Sequence, residues 1–113
     1  VVDSAATSRE ELGNPPHHGT VDKLRREGVP VGSHRARQLR RDEYDVWDHI
    51  IYMDAENARG VSRILGGDPE GKVSRLLDWA GSPRDVADPW YTGDFDATYR
   101  DVLAGCEALL AAL

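Results

Sequence analysis

A short apolar run, from His49 to Met53, constrains the fold of this chain more than any other feature of the sequence. The run shows no alternation of apolar and polar residues, which is typical of a parallel strand buried on both faces. Asp54 ends the run, and the apolar residues Val61 and Leu65 then follow at helical spacing. The sequence therefore predicts a strand followed directly by a helix, which is the repeating unit of an α/β fold.

The alternation of strands and helices extends along the chain. Further strands are predicted at Val1–Ala5 and Lys72–Leu77, and helices at Pro16–Gly28, Arg40–Trp47 and Phe95–Leu113. In the last helix a spacing of three and four predicts a buried apolar face: Tyr99, Val102, Leu103, Cys106, Leu109 and Leu110. The predicted architecture is a parallel sheet flanked by helices, with any site at the carboxyl ends of the strands.

Length, charge and composition exclude several classes of protein. The chain has 113 residues and is expected to form a single domain over residues 1–113. Its net charge of -6 argues against a nucleic-acid partner. No apolar stretch approaches the roughly 20 residues of a membrane span, so we expect a cytoplasmic protein. The adjacent pair His17 and His18 has no further ligand at metal-binding spacing, and no metal is predicted.

The start of the chain leads to a separate expectation. Val1 opens directly on an apolar, β-branched run, with no turn or cap before it. The three predicted strands would make a small sheet for an α/β domain. We therefore expect one further strand–helix unit, of roughly 30 residues, to precede Val1 in the intact protein.

A second informative segment is Asp88-Pro89-Trp90-Tyr91. A residue before proline is held in an extended conformation. Neighbouring aromatic side chains can desolvate a carboxyl group, which raises its pKa toward the range of a general acid. The alternative is a loop stiffened by Pro89, whose aromatic residues cap a hydrophobic cluster. The residues by themselves leave both interpretations open.

Four segments together carry a resemblance to a known family. In chain order they are Val2-Asp3-Ser4-Ala5-Ala6-Thr7-Ser8, His34-Arg35-Ala36-Arg37-Gln38-Leu39, Tyr52-Met53-Asp54-Ala55-Glu56-Asn57 and Asp88-Pro89-Trp90-Tyr91-Thr92-Gly93-Asp94-Phe95. In order and spacing the chain resembles the low-molecular-weight protein tyrosine phosphatases from Val1 to Leu113. The resemblance implies a three-layer, flavodoxin-like α/β fold, with an open parallel four-stranded sheet, helices on both faces and a first strand absent from this sequence.

The activity implied by the resemblance is cofactor-free hydrolysis of phosphotyrosine through a cysteinyl-phosphate intermediate. Asp88 matches the family's general acid, which protonates the tyrosyl oxygen and then, as a carboxylate, accepts a proton from water. Trp90 and Tyr91 match the aromatic residues that wall the pocket and stack on the phenyl ring, although simple packing is the alternative. The implied partner is a phosphotyrosine protein or another aryl phosphate.

Three further residues match supporting positions of the family. Ser4 and His34 match polar residues that brace the phosphate loop by hydrogen bonds. Asp54 matches a carboxylate that pairs with an arginine from the N-terminal part. A surface histidine in a basic loop is the alternative for His34, and a helix N-cap is the alternative for Asp54, where both roles are compatible.

The chain departs from the family at the nucleophile. The family's Cys-x5-Arg phosphate loop does not occur in the sequence, because Cys106 is the one cysteine and Ala112 stands where the arginine is required. We expect Cys106 to be a core residue of the last helix. We also expect that the 113 residues, lacking the nucleophilic cysteine and the phosphate-binding arginine, are inactive alone.

Other functions of the same fold stay open as alternatives. One is a non-catalytic remnant that binds a partner or a phosphorylated ligand, and another is a protein arginine phosphatase. A thiol-coupled arsenate reductase needs further redox cysteines, and the segment from Asp54 to Leu77 has none. The two aromatic residues after Asp88-Pro89 favour an aryl substrate over phosphoarginine.

Overall fold

The computed structural model of the protein describes residues 2–8, 13–15, 17–30, 32 and 35–113, apart from the side chains of Trp90 and Tyr91. In chain order the elements are α1 (His18–Arg26), a first 3-10 helix (Arg41–Asp45), β1 (Ile50–Tyr52), α2 (Ala55–Leu65), β2 (Val73–Arg75), a second 3-10 helix (Leu76–Ala80), α3 (Pro89–Thr92) and α4 (Phe95–Ala112). The chain forms an N-terminal unit, Val1–Leu39, and a C-terminal unit, Arg40–Leu113. None of the described helices is long and apolar enough to cross a membrane.

The sheet of the C-terminal unit confirms the predicted α/β class. β1 and β2 pair in parallel, with Ile50 opposite Val73 and Tyr52 opposite Arg75. Because α2 connects them, the three elements form the strand–helix–strand unit that parallel pairing requires. The carboxyl ends of both strands therefore lie at one edge of the sheet.

The helix predicted after the apolar run is also confirmed. Asp54 is the N-cap of α2, and its carboxylate accepts a hydrogen bond of 2.8 Å from the backbone N–H of Asn57. Gly66 ends α2 in the left-handed conformation, with φ of 77°, which glycine adopts without steric cost. The helical patch predicted at Arg40–Trp47 forms the first 3-10 helix.

The second 3-10 helix replaces the end of the strand predicted at Lys72–Leu77. Its first residues, Leu76 and Leu77, are almost fully buried in one cluster. Adjacent residues of a strand face opposite sides of the sheet, whereas a helical turn directs both leucines into the same core. A short apolar run does not distinguish these cases, so the prediction of a strand beyond Arg75 is wrong.

The core of the C-terminal unit lies between the sheet, the second 3-10 helix and α4. Five apolar side chains pack together there: Leu76, Leu77, Val86, Ile51 and Val102. α4 packs closely against the second 3-10 helix at Gly105, where a β-carbon would lie 2.4 Å from Cγ of Leu76. Any side chain at position 105 would therefore require Leu76 or the backbone of α4 to shift.

The buried face of α4 differs from the predicted one. Leu103, Leu110 and Cys106 are exposed, whereas Asp101 and Gly105 are buried. The prediction that Cys106 is a core residue is therefore wrong. Hydropathy places a carboxylate on the solvent side of a helix, but an ion pair and hydrogen bonds permit Asp101 to face the protein interior.

The N-terminal unit contains less regular structure than predicted. Residues 2–5 of the predicted strand Val1–Ala5 form no strand, and Ala6 makes one isolated parallel bridge with Gln38. The bridge consists of Ala6 N–H to Arg37 C=O at 2.7 Å and Leu39 N–H to Ala6 C=O at 2.8 Å. An extended segment becomes a strand only through pairing, and here the pairing is limited to one residue. The helix predicted from Pro16 is confirmed as α1.

Candidate active site

The loop that carries Asp88 lies between the second 3-10 helix and α3. Asp88 is half-buried and directly precedes α3, which begins at Pro89. The backbone carbonyl of Asp88 accepts the N–H of Thr92 at 3.2 Å. The fixed φ of proline suits the first position of a helix. Asp88 therefore stands at a defined chain position, where an extended loop becomes a helical turn.

The loop is tied to the carboxyl edge of the sheet by two residues before Asp88. Val86, which is buried, donates its N–H to the carbonyl of Met53 at 2.9 Å. Asp85 accepts the N–H of Ala55 at 3.1 Å and a bond from the Arg75 guanidinium at 3.3 Å. These bonds connect the loop to the residues that follow β1, to the first turn of α2 and to the end of β2.

A second set of bonds connects the loop to α4. The carboxylate of Asp101 accepts two bonds from the guanidinium of Arg84, at 2.9 and 2.7 Å, and the N–H of Ala87 at 2.9 Å. The hydroxyl of Thr98 donates to the carbonyl of Ala87 at 2.5 Å. The hydrogen-bonded Arg84 guanidinium holds the pKa of Asp101 below its ordinary value. Asp101 is therefore a carboxylate at neutral pH although its side chain is buried.

Asp54 and Asp88 lie at the same edge of the C-terminal unit. Asp54 directly follows the apolar run, and the residues on either side of it, Met53 and Ala55, both bond to the Asp88 loop. The sequence thus predicts correctly that Asp54 acts as an N-cap. Pairing of Asp54 with an arginine stays a prediction.

Ser4 lies in the N-terminal unit, on an exposed segment. Its N–H bonds to the Asp3 carboxylate at 2.8 Å, and the same carboxylate pairs with Arg37 at 3.1 Å. Ser4 lines a small open cavity with neighbouring residues of this unit: Ala5, Ala6, Ala36 and Arg37. The bracing of a phosphate loop by Ser4 is not tested by these contacts.

Three predicted site residues lie partly or wholly outside the described residues. His34 is outside them entirely. Trp90 and Tyr91 belong to α3, but their side chains are not among those described. Their predicted roles as pocket walls accordingly stay predictions.

Cys106 is a poor candidate for the nucleophile. It lies on α4, and partial desolvation raises the pKa of its thiol above the ordinary value. Because the thiolate is the nucleophilic form, a raised pKa disfavours attack on phosphorus at neutral pH. Among residues 2–8, 13–15, 17–30, 32 and 35–113, no three His, Cys, Asp or Glu side chains group in a way that could hold a metal ion.

Sequence reasoning missed the residues that hold the Asp88 loop. Arg75 and Asp85 join the strands to the loop, and Thr98 and Asp101 join α4 to it. The sequence held no local signal for Asp101, because this residue lies away from the apolar face predicted for the last helix, and its partners Arg84 and Ala87 are distant in sequence.

Comparison with known proteins gives a consistent result over the whole chain. The family model described as low molecular weight phosphotyrosine protein phosphatase matches residues 1–113. A low molecular weight protein-tyrosine-phosphatase of Bacillus subtilis, YfkJ, is 41% identical over 99% of this chain and 73% of its own length. The human low molecular weight phosphotyrosine protein phosphatase is 34% identical over 96% of this chain and 72% of its own.

Solved structures give the same result. The crystal structure of YfkJ superposes with a TM-score of 0.90 at 42% identity, over 97% of this chain and 70% of that one. The low molecular weight protein tyrosine phosphatase of Streptococcus pyogenes superposes with a TM-score of 0.86 at 32% identity, over 97% of this chain and 71% of that one.

Proposed function

The chain belongs to the low molecular weight phosphotyrosine protein phosphatase family, and on that basis we propose that Asp88 is the general acid and base of phosphotyrosine hydrolysis. The family acts on phosphoproteins. The observation that carries the assignment of Asp88 is the loop that holds it. This loop is bonded to α4 and to the carboxyl edge of the parallel sheet. The carboxyl edge of the sheet is where an α/β fold places its site.

The proposed reaction has two steps. In the first, a thiolate attacks phosphorus, an S–P bond forms, the P–O bond to the tyrosyl oxygen breaks, and Asp88 protonates that oxygen as it leaves. In the second, the Asp88 carboxylate takes a proton from water while the water oxygen attacks phosphorus. The S–P bond then breaks, which releases phosphate and restores the thiolate.

The nucleophile of this reaction is not assigned to Cys106. The sequence of 113 residues holds no Cys-x5-Arg motif, and the raised pKa of the Cys106 thiol disfavours its ionisation. We propose that these residues form one phosphatase domain that supplies the acid and the pocket wall. The thiolate and the arginine that holds the phosphoryl oxygens are not among the 113 residues.

An aryl phosphate substrate is supported by the residues that follow the acid. Trp90 and Tyr91 come directly after Asp88-Pro89, within α3. Aromatic rings next to the acid would stack on the phenyl ring of phosphotyrosine and bring its ester oxygen within reach of the carboxyl group. Ser4 and His34 are proposed to brace the phosphate loop, and Asp54 to pair with an arginine, as in the family.

Hydrolysis of p-nitrophenyl phosphate tests the role of Asp88, in a preparation whose intact mass shows that it carries the nucleophilic cysteine and the arginine in addition to the 113 residues. We expect Asp88→Asn to lower kcat by about 100-fold or more, because a positioned general acid contributes about 10² to 10⁴ in rate. Asp48→Asn, at an exposed aspartate away from the loop, is the matched control and should leave kcat unchanged. No turnover from a folded, unaltered preparation that carries the cysteine and the arginine would contradict the proposal and favour a non-catalytic binding protein.

A further inference from the structure

Two side chains of α4 hold both peptide groups of the residue before Asp88. Asp101 accepts the N–H of Ala87 at 2.9 Å, and Thr98 donates its hydroxyl to the carbonyl of Ala87 at 2.5 Å. Residues three apart on a helix lie on the same face, so one surface of α4 presents a donor and an acceptor side by side. Ala87 is therefore held at both of its peptide groups by a single rigid element.

These two hydrogen bonds determine the position at which the chain enters Asp88. The carbonyl of Ala87 belongs to the peptide bond that joins Ala87 to Asp88. That peptide group is planar, so fixing its oxygen also fixes the direction of the bond to the Cα of Asp88. On the other side of Asp88 the ring of Pro89 limits the backbone again. The backbone of Asp88 is thus constrained from both directions.

Burial of Asp101 carries an energetic cost. The residue is 9% exposed, and burial of a charge is unfavourable unless charge pairing and hydrogen bonds compensate. Here Arg84 supplies two bonds and Ala87 supplies the third. An apolar residue at position 101 would satisfy the packing of α4, but it could not hold the Ala87 N–H.

We propose that Asp101 and Thr98 are positioning residues for the general acid, acting through the backbone of Ala87 to place the Asp88 carboxyl group at the leaving oxygen. This inference rests on the proposed role of Asp88. It extends that role to α4, whose residues do not themselves touch the substrate.

In the same preparation, which carries the nucleophilic cysteine and the arginine, the dependence of kcat/KM on the leaving group separates positioning of the acid from a contribution to stability alone. Protonation matters most for a basic leaving group, as in phenyl phosphate, and least for an acidic one, as in 2,4-dinitrophenyl phosphate. The ratio kcat/KM reports the first step, in which this proton is transferred. We expect Thr98→Val and Asp101→Ala to lower kcat/KM for phenyl phosphate by about 10-fold or more, because a small misplacement costs up to about 100-fold. The value for 2,4-dinitrophenyl phosphate should stay within about twofold.

Two matched variants sharpen the test. Thr98→Ser keeps the hydroxyl and should keep the unaltered ratio between the two substrates. Arg84→Gln removes the ion pair but keeps the bond from Ala87 to Asp101, so it should lower the melting temperature and leave that ratio unchanged. Thr98→Val nearly conserves volume, which keeps the experiment decisive even if Asp101→Ala does not fold.

Asp88→Asn in the same assay distinguishes the two proposals. If this variant leaves the ratio between the substrates unchanged, the role of Asp88 itself is wrong. If Asp88→Asn changes the ratio and Thr98→Val does not, only the positioning role is overturned. Equal losses on both substrates for Thr98→Val would also overturn it, since they indicate a purely structural contribution.

Discussion

The C-terminal unit contains buried apolar side chains, whereas no residue that the structure describes in the N-terminal unit is buried. In the C-terminal unit Leu76, Leu77 and Val86 form a core. In the N-terminal unit the described contacts include backbone hydrogen bonds and half-exposed ion pairs, such as Asp3 with Arg37. Burial of apolar area is the dominant stabilising contribution in folding, and exposed ion pairs contribute little. The two units should therefore respond differently to the same kind of substitution.

Truncation of a leucine in each unit gives the largest expected contrast. Leu77, at 1% exposure, lies in the core, and Leu77→Ala should lower the free energy of unfolding by about 2–5 kcal/mol. Leu24→Ala, at a half-buried position of α1, should cost about 1 kcal/mol or less. In urea unfolding, tryptophan fluorescence reports Leu77→Ala, since all three tryptophans lie in the C-terminal unit. Far-ultraviolet circular dichroism, which also detects the helix α1, reports Leu24→Ala. If both substitutions lowered the free energy of unfolding equally, the difference in burial between the two units would not determine their stability.

Addition of one methyl group tests how tightly that core is packed. Gly105→Ala places a β-carbon 2.4 Å from Cγ of Leu76, so α4 or the second 3-10 helix must shift. We expect a loss of about 1–3 kcal/mol in the free energy of unfolding, measured by urea unfolding. In a Leu76→Ala background the added cost of Gly105→Ala should fall, because the clashing atoms are gone. An unchanged cost in the double variant would place the strain elsewhere.

The N-caps of the two units provide a smaller contrast. Asp54→Ala removes the bond to the Asn57 N–H and should lower the free energy of unfolding by about 1 kcal/mol. Asp54→Ser keeps an acceptor and should cost less. His17 caps α1 through a bond of 3.1 Å to the Gly19 N–H. Because no described residue of α1 is buried, His17→Ala should change the melting temperature less than Asp54→Ala does.

The dependence of stability on pH gives the smallest effect. The Arg84 guanidinium holds the pKa of Asp101 below its ordinary value, so Asp101 binds a proton more weakly in the folded than in the unfolded protein. The resulting stabilisation is complete above the ordinary pKa of about 3.9 and is lost as pH falls through the lower folded pKa. We expect melting temperatures between about pH 3 and pH 6 to fall less steeply for Asp101→Asn than for the unaltered protein.

Asp3→Asn in the N-terminal unit is the control for this measurement. Its pair with Arg37 is partly exposed and screened by solvent, so its removal should leave the acid side of the curve nearly unchanged. A curve for Asp101→Asn that parallels the unaltered one would contradict the proposed stabilisation by Arg84.

Local patterns sufficed to predict β1 and α2. The apolar run at His49–Met53 and the cap at Asp54 are local signals, and both correspond to observed structure. The second 3-10 helix, which begins at Leu76, could not be predicted from local patterns, because it depends on a core assembled from distant segments. Asp101 was missed for the same reason, since its partners, Arg84 and Ala87, lie 17 and 14 residues away in sequence.

The two hydrogen bonds that hold the backbone of Ala87 have a consequence for sequence variation in the loop. Thr98 and Asp101 bind peptide groups, and every amino acid except proline offers the same N–H and C=O. In a saturation library at position 87, most small replacements should therefore survive selection for activity, and proline should be the most strongly depleted. The side chain at position 87 can therefore vary, while the backbone conformation at this position is maintained by α4, which begins eight residues later.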